Sequence, residues 1–168
     1  MKKTNTKVLF MAQAAMIAAI YVVLTLIFAP FSFGEIQVRI SEALVLLPLF
    51  TPAAIPGLFI GCLFGNIFGG AILLDVIFGS LASLLAATLT YVLRKRGVFL
   101  AVLPPILVNA LVVPFVLRYG YGNPLPIPLM MLTVGIGQVI SCGGLGMIVY
   151  KALDRYKETI FRNNHPVM

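Results

Sequence analysis

From residue 40 to residue 96 the chain reads ISEALVLLPLFTPAAIPGLFIGCLFGNIFGGAILLDVIFGSLASLLAATLTYVLRKR, and the fold turns on how this stretch is divided. Between Ile40 and Leu93 its only charged residues are Glu42 and Asp75; Arg94, Lys95 and Arg96 then follow as a block. A segment this apolar belongs in lipid, where a spanning helix takes about 20 residues, so it is too long for one crossing. Pro48, Pro52, Pro56 and the Gly69-Gly70 pair break it near 41–51, 54–69 and 73–93. Prolines and paired glycines are where an apolar helix stops or bends. The first piece is short and would have to tilt or thin the bilayer to span it.

Charge parity extends the count outward. Met1 to Lys7 carries three lysines and Val8 to Ala29 has no charge. That run exceeds a signal-peptide core and no clear cleavage site follows, so it reads as a retained first helix entering from the cytoplasm. Pro30 to Arg39 is then an external loop. Because cations favour the cytoplasmic side, the 94–96 cluster lies inside, and an odd number of crossings must separate it from that external loop; three fit. Gly97–Leu117 is the fifth helix, RYGYGNPLPIP (118–128) carries the second external loop, and residues from about 127 to 150 form the sixth. The expected fold is all-α: one polytopic membrane domain over residues 1–168, a six-transmembrane-helix bundle with both termini cytoplasmic. All twelve Lys and Arg residues except Arg39 and Arg118 then fall inside.

Composition agrees. The chain is 61% hydrophobic and 10% charged, with mean hydropathy +1.07, whereas a soluble domain carries roughly 25% charged residues. No length remains for an ATPase or a catalytic head. The net charge of +7 records topology and not a nucleic-acid partner. Cys62 and Cys142 sit in apolar runs as small hydrophobes, and the one histidine, His165, is in the tail, so neither a metal site nor histidine catalysis is expected. No cofactor is expected either. No glycine-rich stretch ends in the Gly-Lys-Ser/Thr of a phosphate-binding loop, so energy from ATP would come from another polypeptide. No internal repeat of helix length is evident.

Two stripes of small residues stand out. Gly57, Gly61, Gly65 and Gly69 recur every four residues, which favours close packing inside the bundle over a dimer interface. The first helix carries Ala12, Ala14, Ala15, Ala18 and Ala19, giving the pairs 14/18 and 15/19. Spacing alone leaves open whether this face packs internally or meets a partner helix.

Polar side chains inside lipid are costly and usually face a cavity or one another. Of the five acidic residues, Asp154 and Glu158 lie in the basic tail, where solvent is the default. By the topology Glu35, Glu42 and Asp75 all fall near the external side, with Asn66 at that level and Asn109 and Gln138 deeper. Carboxylates accept hydrogen bonds from amines and ring N–H groups, and carboxamides both donate and accept, so the set suits a small nitrogen-rich ligand. Phe31, Phe33, Tyr119 and Tyr121 could stack on a flat ring. The plainer alternative is that Glu35, Arg39 and Glu42, spaced i, i+4 and i+7, neutralise each other. It applies less to Asp75, which has no cation near it in sequence.

The segment FSFGEIQVRISEALVLLPLFTPAAIPGLFIGCLFGN (31–66), with Glu-x-Gln-x-Arg-x-Ser-Glu-Ala at 35–43, resembles the QueT branch of the substrate-binding S components of energy-coupling factor (ECF) transporters. The resemblance covers essentially the whole chain. It implies a multi-pass protein of a prokaryotic plasma membrane that captures a queuosine precursor, a 7-deazaguanine such as 7-aminomethyl-7-deazaguanine or queuine. It further implies docking on a transmembrane T component with two ATPase subunits, through Ala14, Ala15, Ala18 and Ala19, and toppling of the S component in the bilayer to deliver substrate inside. The candidate substrate-binding residues are Glu35, Gln37, Arg39, Glu42, Asn66, Asp75, Asn109 and Gln138. Two other classes were weighed: a proton-coupled carrier titrating on Asp75 or Glu42, and a membrane enzyme, for which the sequence offers no nucleophile or metal constellation.

Overall fold

A computed structural model describes residues 6–28 and 39–157. Among them there are six helices and no strand: α1 (Thr6–Ile27), α2 (Ile40–Leu49), α3 (Ala54–Phe68), α4 (Leu73–Leu93), α5 (Val98–Tyr119) and α6 (Ile127–Asp154). Of the breakers identified above, Pro52 and the Gly69-Gly70 pair fall at breaks, whereas Pro48 lies inside α2 and Pro56 in the first turn of α3. α1, α4 with the Arg94–Arg96 turn that follows it, α5 and α6 are each long and apolar enough to cross a membrane, while α2 and α3 are shorter apolar helices.

α2 is wound as a 3-10 helix and every residue from Ser41 to Pro48 is buried. At about 2.0 Å of rise per residue, ten residues reach about 20 Å, against about 15 Å for an α-helix, so tight winding makes up part of the length that its sequence lacks. Its sequence is apolar all round, as a helix surrounded by protein must be. It touches each of the other five helices, while α1, α3, α4, α5 and α6 pack in that order around it.

The glycine stripe of α3 meets α1. A Cβ added at Gly61 would lie 2.7 Å from Tyr21 Cβ, and one at Gly57 would lie 2.8 Å from the Ala14 carbonyl oxygen, so only hydrogen fits at these positions. Internal packing is thus the use of this stripe. The same contact divides the alanine face of α1: Ala14 and Ala18 are buried, with Ala14 against Gly57 and Ala18 against Gly61, whereas Ala15 and Ala19 are exposed. Ala14 and Ala18 thus pack on α3, while Ala15 and Ala19 face outward.

Two helices depart from regular winding. α5 holds Pro104, Pro105 and Pro114. Pro105 has no N–H to give the Ala101 carbonyl, and the buried Thr90 hydroxyl of α4 donates to that oxygen at 3.0 Å instead. In lipid such a repair is obligatory, because no water can replace the lost bond. α6 opens into a π-helical segment at Val139–Leu145, where it passes α2. π-helical insertions are rare and concentrate at functional sites.

Candidate functional site

Six of the eight candidate polar residues lie in the described structure, and all six are buried: Arg39, Glu42, Asn66, Asp75, Asn109 and Gln138. Glu35 and Gln37, like Phe31 and Phe33, lie outside the described residues. The six gather around the N-terminal end of α2, in two groups that Arg39 joins electrostatically.

The first group centres on Asp75, in the opening turn of α4. Arg39 Nη2, at the N-cap of α2, lies 3.1 Å from Asp75 Oδ2. The Tyr121 hydroxyl, from the loop between α5 and α6, donates to the same oxygen at 3.3 Å and accepts from the Ile72 N–H at 3.4 Å. Burial and the neighbouring Asp75 carboxylate raise the Tyr121 phenol above its ordinary pKa, so it remains a donor. Asn66 Nδ2 donates to the Asp75 carbonyl at 3.1 Å, tying α3 to the start of α4. Asp75 Oδ1 is buried and makes no hydrogen bond. It lies beside Gly79, where an added Cβ would come within 2.8 Å of it.

The second group centres on Glu42, in the first turn of α2. The Tyr21 hydroxyl of α1 donates to Glu42 Oε1 at 2.8 Å, and the Asn109 side chain of α5 approaches the same carboxyl group. From the π-helical segment, Cys142 Sγ lies 3.1 Å from Gln138 Oε1 and 3.6 Å from the Glu42 carbonyl oxygen. Glu42 Oε2 and Ser141 Oγ are buried without a hydrogen bond. One residue along α2, the Ser41 and Thr25 hydroxyls sit 3.0 Å apart.

Each carboxylate is thus half used. One oxygen is held by the protein and the other is buried and unmatched, an arrangement that costs about 1–3 kcal/mol per group or more unless a donor meets it. The sequence reading missed Tyr21, Tyr121 as a hydrogen-bonding group, and Ser141. Tyr21 gave one usable signal, a hydroxyl-bearing aromatic midway along an otherwise apolar helix. Ser141 gave none beyond the adjacent Gly143-Gly144 pair. Of the plainer reading, in which Glu35, Arg39 and Glu42 neutralise each other, the part that rests on Glu35 lies outside the described residues; among the described residues Arg39 forms an ion pair with Asp75.

The sequence profile of a family described as QueT transporter matches residues 11–155. The chain belongs to the QueT transporter family. It is accordingly a membrane transport protein, and all six buried polar candidates lie inside the matched span. Searches of curated proteins and of solved structures return no match.

Proposed function

We propose that this QueT family member is a single-domain S component of an ECF-type importer, with both termini cytoplasmic in a prokaryotic plasma membrane, and that it binds a queuosine precursor of the 7-deazaguanine class. The observation that carries the reading is the pair of buried carboxylates, each with one oxygen engaged and one open. Such a ligand supplies two kinds of donor. Its ring N–H and exocyclic amine form a neutral edge that suits Asp75, whose charge Arg39 already balances. Its aminomethyl cation suits Glu42, whose nearest donor is the uncharged Tyr21 hydroxyl. Asn109, Gln138 and Ser141 line the Glu42 side, and Asn66 buttresses Asp75. Glu35 and Gln37, in the segment leading to Arg39, complete the ligand set by resemblance.

Energy and the inward step come from partners: a transmembrane T component and two ATPase subunits. Ala15 and Ala19 are the docking face, because Ala14 and Ala18 are occupied by α3.

The test is a screen of 7-deazaguanines against the purified chain by thermal shift and mass spectrometry. 7-Aminomethyl-7-deazaguanine or queuine should raise the unfolding temperature and co-purify; no response to any 7-deazaguanine overturns the ligand assignment. In cells, uptake should be lost on deletion of the ATPases and survive an uncoupler, and the opposite pattern would identify a proton-coupled carrier. Ala15→Leu with Ala19→Leu should abolish uptake while leaving ligand affinity unchanged. Equal loss of affinity would mean that this face packs internally.

A further inference from the structure

The spans of α4 and α6 end, and α5 begins, at Arg96, Asp154 and Val98. At that level the structure holds a groove of about 410 Å³. Its lining combines the cations Arg94, Lys95 and Lys157 with an apolar set, Leu49, Phe50, Val98 and Tyr150, of which Phe50 and Tyr150 stack at 5.1 Å between ring centroids. Arg94 lies over the Tyr91 ring at 3.7 Å and donates to the Tyr91 carbonyl at 2.9 Å, which fixes its guanidinium at the rim. Among the described lining residues the one acid, Asp154, pairs with Lys157 at 3.0 Å, and Arg94 and Lys95 add two positive charges to that pair.

We infer that this groove is a binding site for an anionic phospholipid, with the headgroup phosphate against Arg94 and Lys95 and an acyl chain along Phe50, Tyr150 and Val98. The occupant follows from charge and level together. A groove that combines cations with apolar and aromatic side chains, where membrane spans end, matches a molecule that is anionic at one end and apolar at the other. A free phosphate would leave the aromatic side chains in water, and a zwitterionic lipid would leave the added charge unmatched. The inference concerns a different end of the molecule from the carboxylate site and does not depend on the ligand proposed there.

The test uses the full chain purified in nonionic detergent, titrated separately with phosphatidylglycerol, phosphatidylcholine and inorganic phosphate. Native mass spectrometry should show phosphatidylglycerol retained in preference to phosphatidylcholine, and thermal unfolding should rise with phosphatidylglycerol alone. The double variant Arg94→Gln/Lys95→Gln should weaken phosphatidylglycerol binding about tenfold or more. Arg155→Gln, an exposed cation at the same end but outside the groove, should leave it unchanged. If the double variant is unstable even in phosphatidylcholine, Lys95→Gln alone carries the test, because no hydrogen bond of that side chain is lost; a smaller loss in the same direction is then expected. Equal losses in the Arg155 variant would reduce the effect to diffuse charge and overturn the site. Equal stabilisation by free phosphate, or equal retention of the two lipids, would overturn the lipid assignment.

Discussion

Two ion pairs of nearly equal length sit at opposite ends of the bundle. Arg39–Asp75 spans 3.1 Å with side chains 6% and 2% exposed, while Lys157–Asp154 spans 3.0 Å with side chains 50% and 41% exposed. The first joins residues 36 positions apart; the second lies within one helical turn. The difference teaches that distance alone says little about what a charge is for. At the exposed end, cations are solvated, paired locally if at all, and report which way the chain crosses the membrane. At the buried end each charge has been taken out of solvent, and removing one partner breaks a buried pair.

The most direct way to break this comparison is to delete the acid from each pair. Asp75→Ala breaks the buried ion pair with Arg39 and should cost roughly 3–5 kcal/mol; Asp154→Ala should cost about 1 kcal/mol or less. Chemical unfolding in detergent measures both, and similar losses would mean that the buried pair is better solvated than its burial indicates. Next in size is a separation of binding from folding at the buried end. Glu42→Gln keeps a carbonyl that can accept from Tyr21 but replaces the open acceptor with a donor. It should lower 7-deazaguanine affinity by roughly ten- to a hundredfold, about 1.5–3 kcal/mol, with little change in unfolding. Parent-like affinity would make Glu42 a packing element. Thr90→Val, one turn from the Arg94–Arg96 end, should cost about 1 kcal/mol by leaving the Ala101 carbonyl unmatched beside Pro105. An unchanged unfolding midpoint would show that α5 relaxes to satisfy that oxygen itself. The smallest expected perturbation only labels the ends. Asn123→Cys should react with an impermeant thiol reagent in intact cells and Gly97→Cys should not, and outside labelling at Gly97 would reverse the assignment of sides.

The two ends also differ in how far they could be read in advance. The helix boundaries were legible because Pro52, Gly69-Gly70 and Arg94–Arg96 interrupt apolar runs, and breakers and charges act locally. The gathering of Glu42, Asn66, Asp75, Asn109 and Gln138 was legible as well, since polar groups in lipid have few places to go. What joins them was not. Arg39 finds Asp75 only once α2 stands beside α4, and Tyr21 reaches Glu42 only because Gly61 lets α1 come close. The 3-10 winding of α2 and the π-helical segment of α6 leave no periodic trace, because both arise from fitting the helices around a crowded centre. The alanine pairs 14/18 and 15/19 are indistinguishable as spacings; the glycine stripe of α3 decides between them.

That choice has a mechanical consequence. Gly57 and Gly61 bring the inner face of α1 up to the α3 backbone, with Ala14, Ile17, Ala18 and Tyr21 seated directly on the two glycines. A force applied to the outer ladder at Ala15 and Ala19 therefore cannot roll α1 about its own axis without driving Tyr21 into Gly61. The lever arm is the α1–α3 slab as a whole, and Tyr21, rooted in that slab, carries any such motion directly to the carboxylate of Glu42.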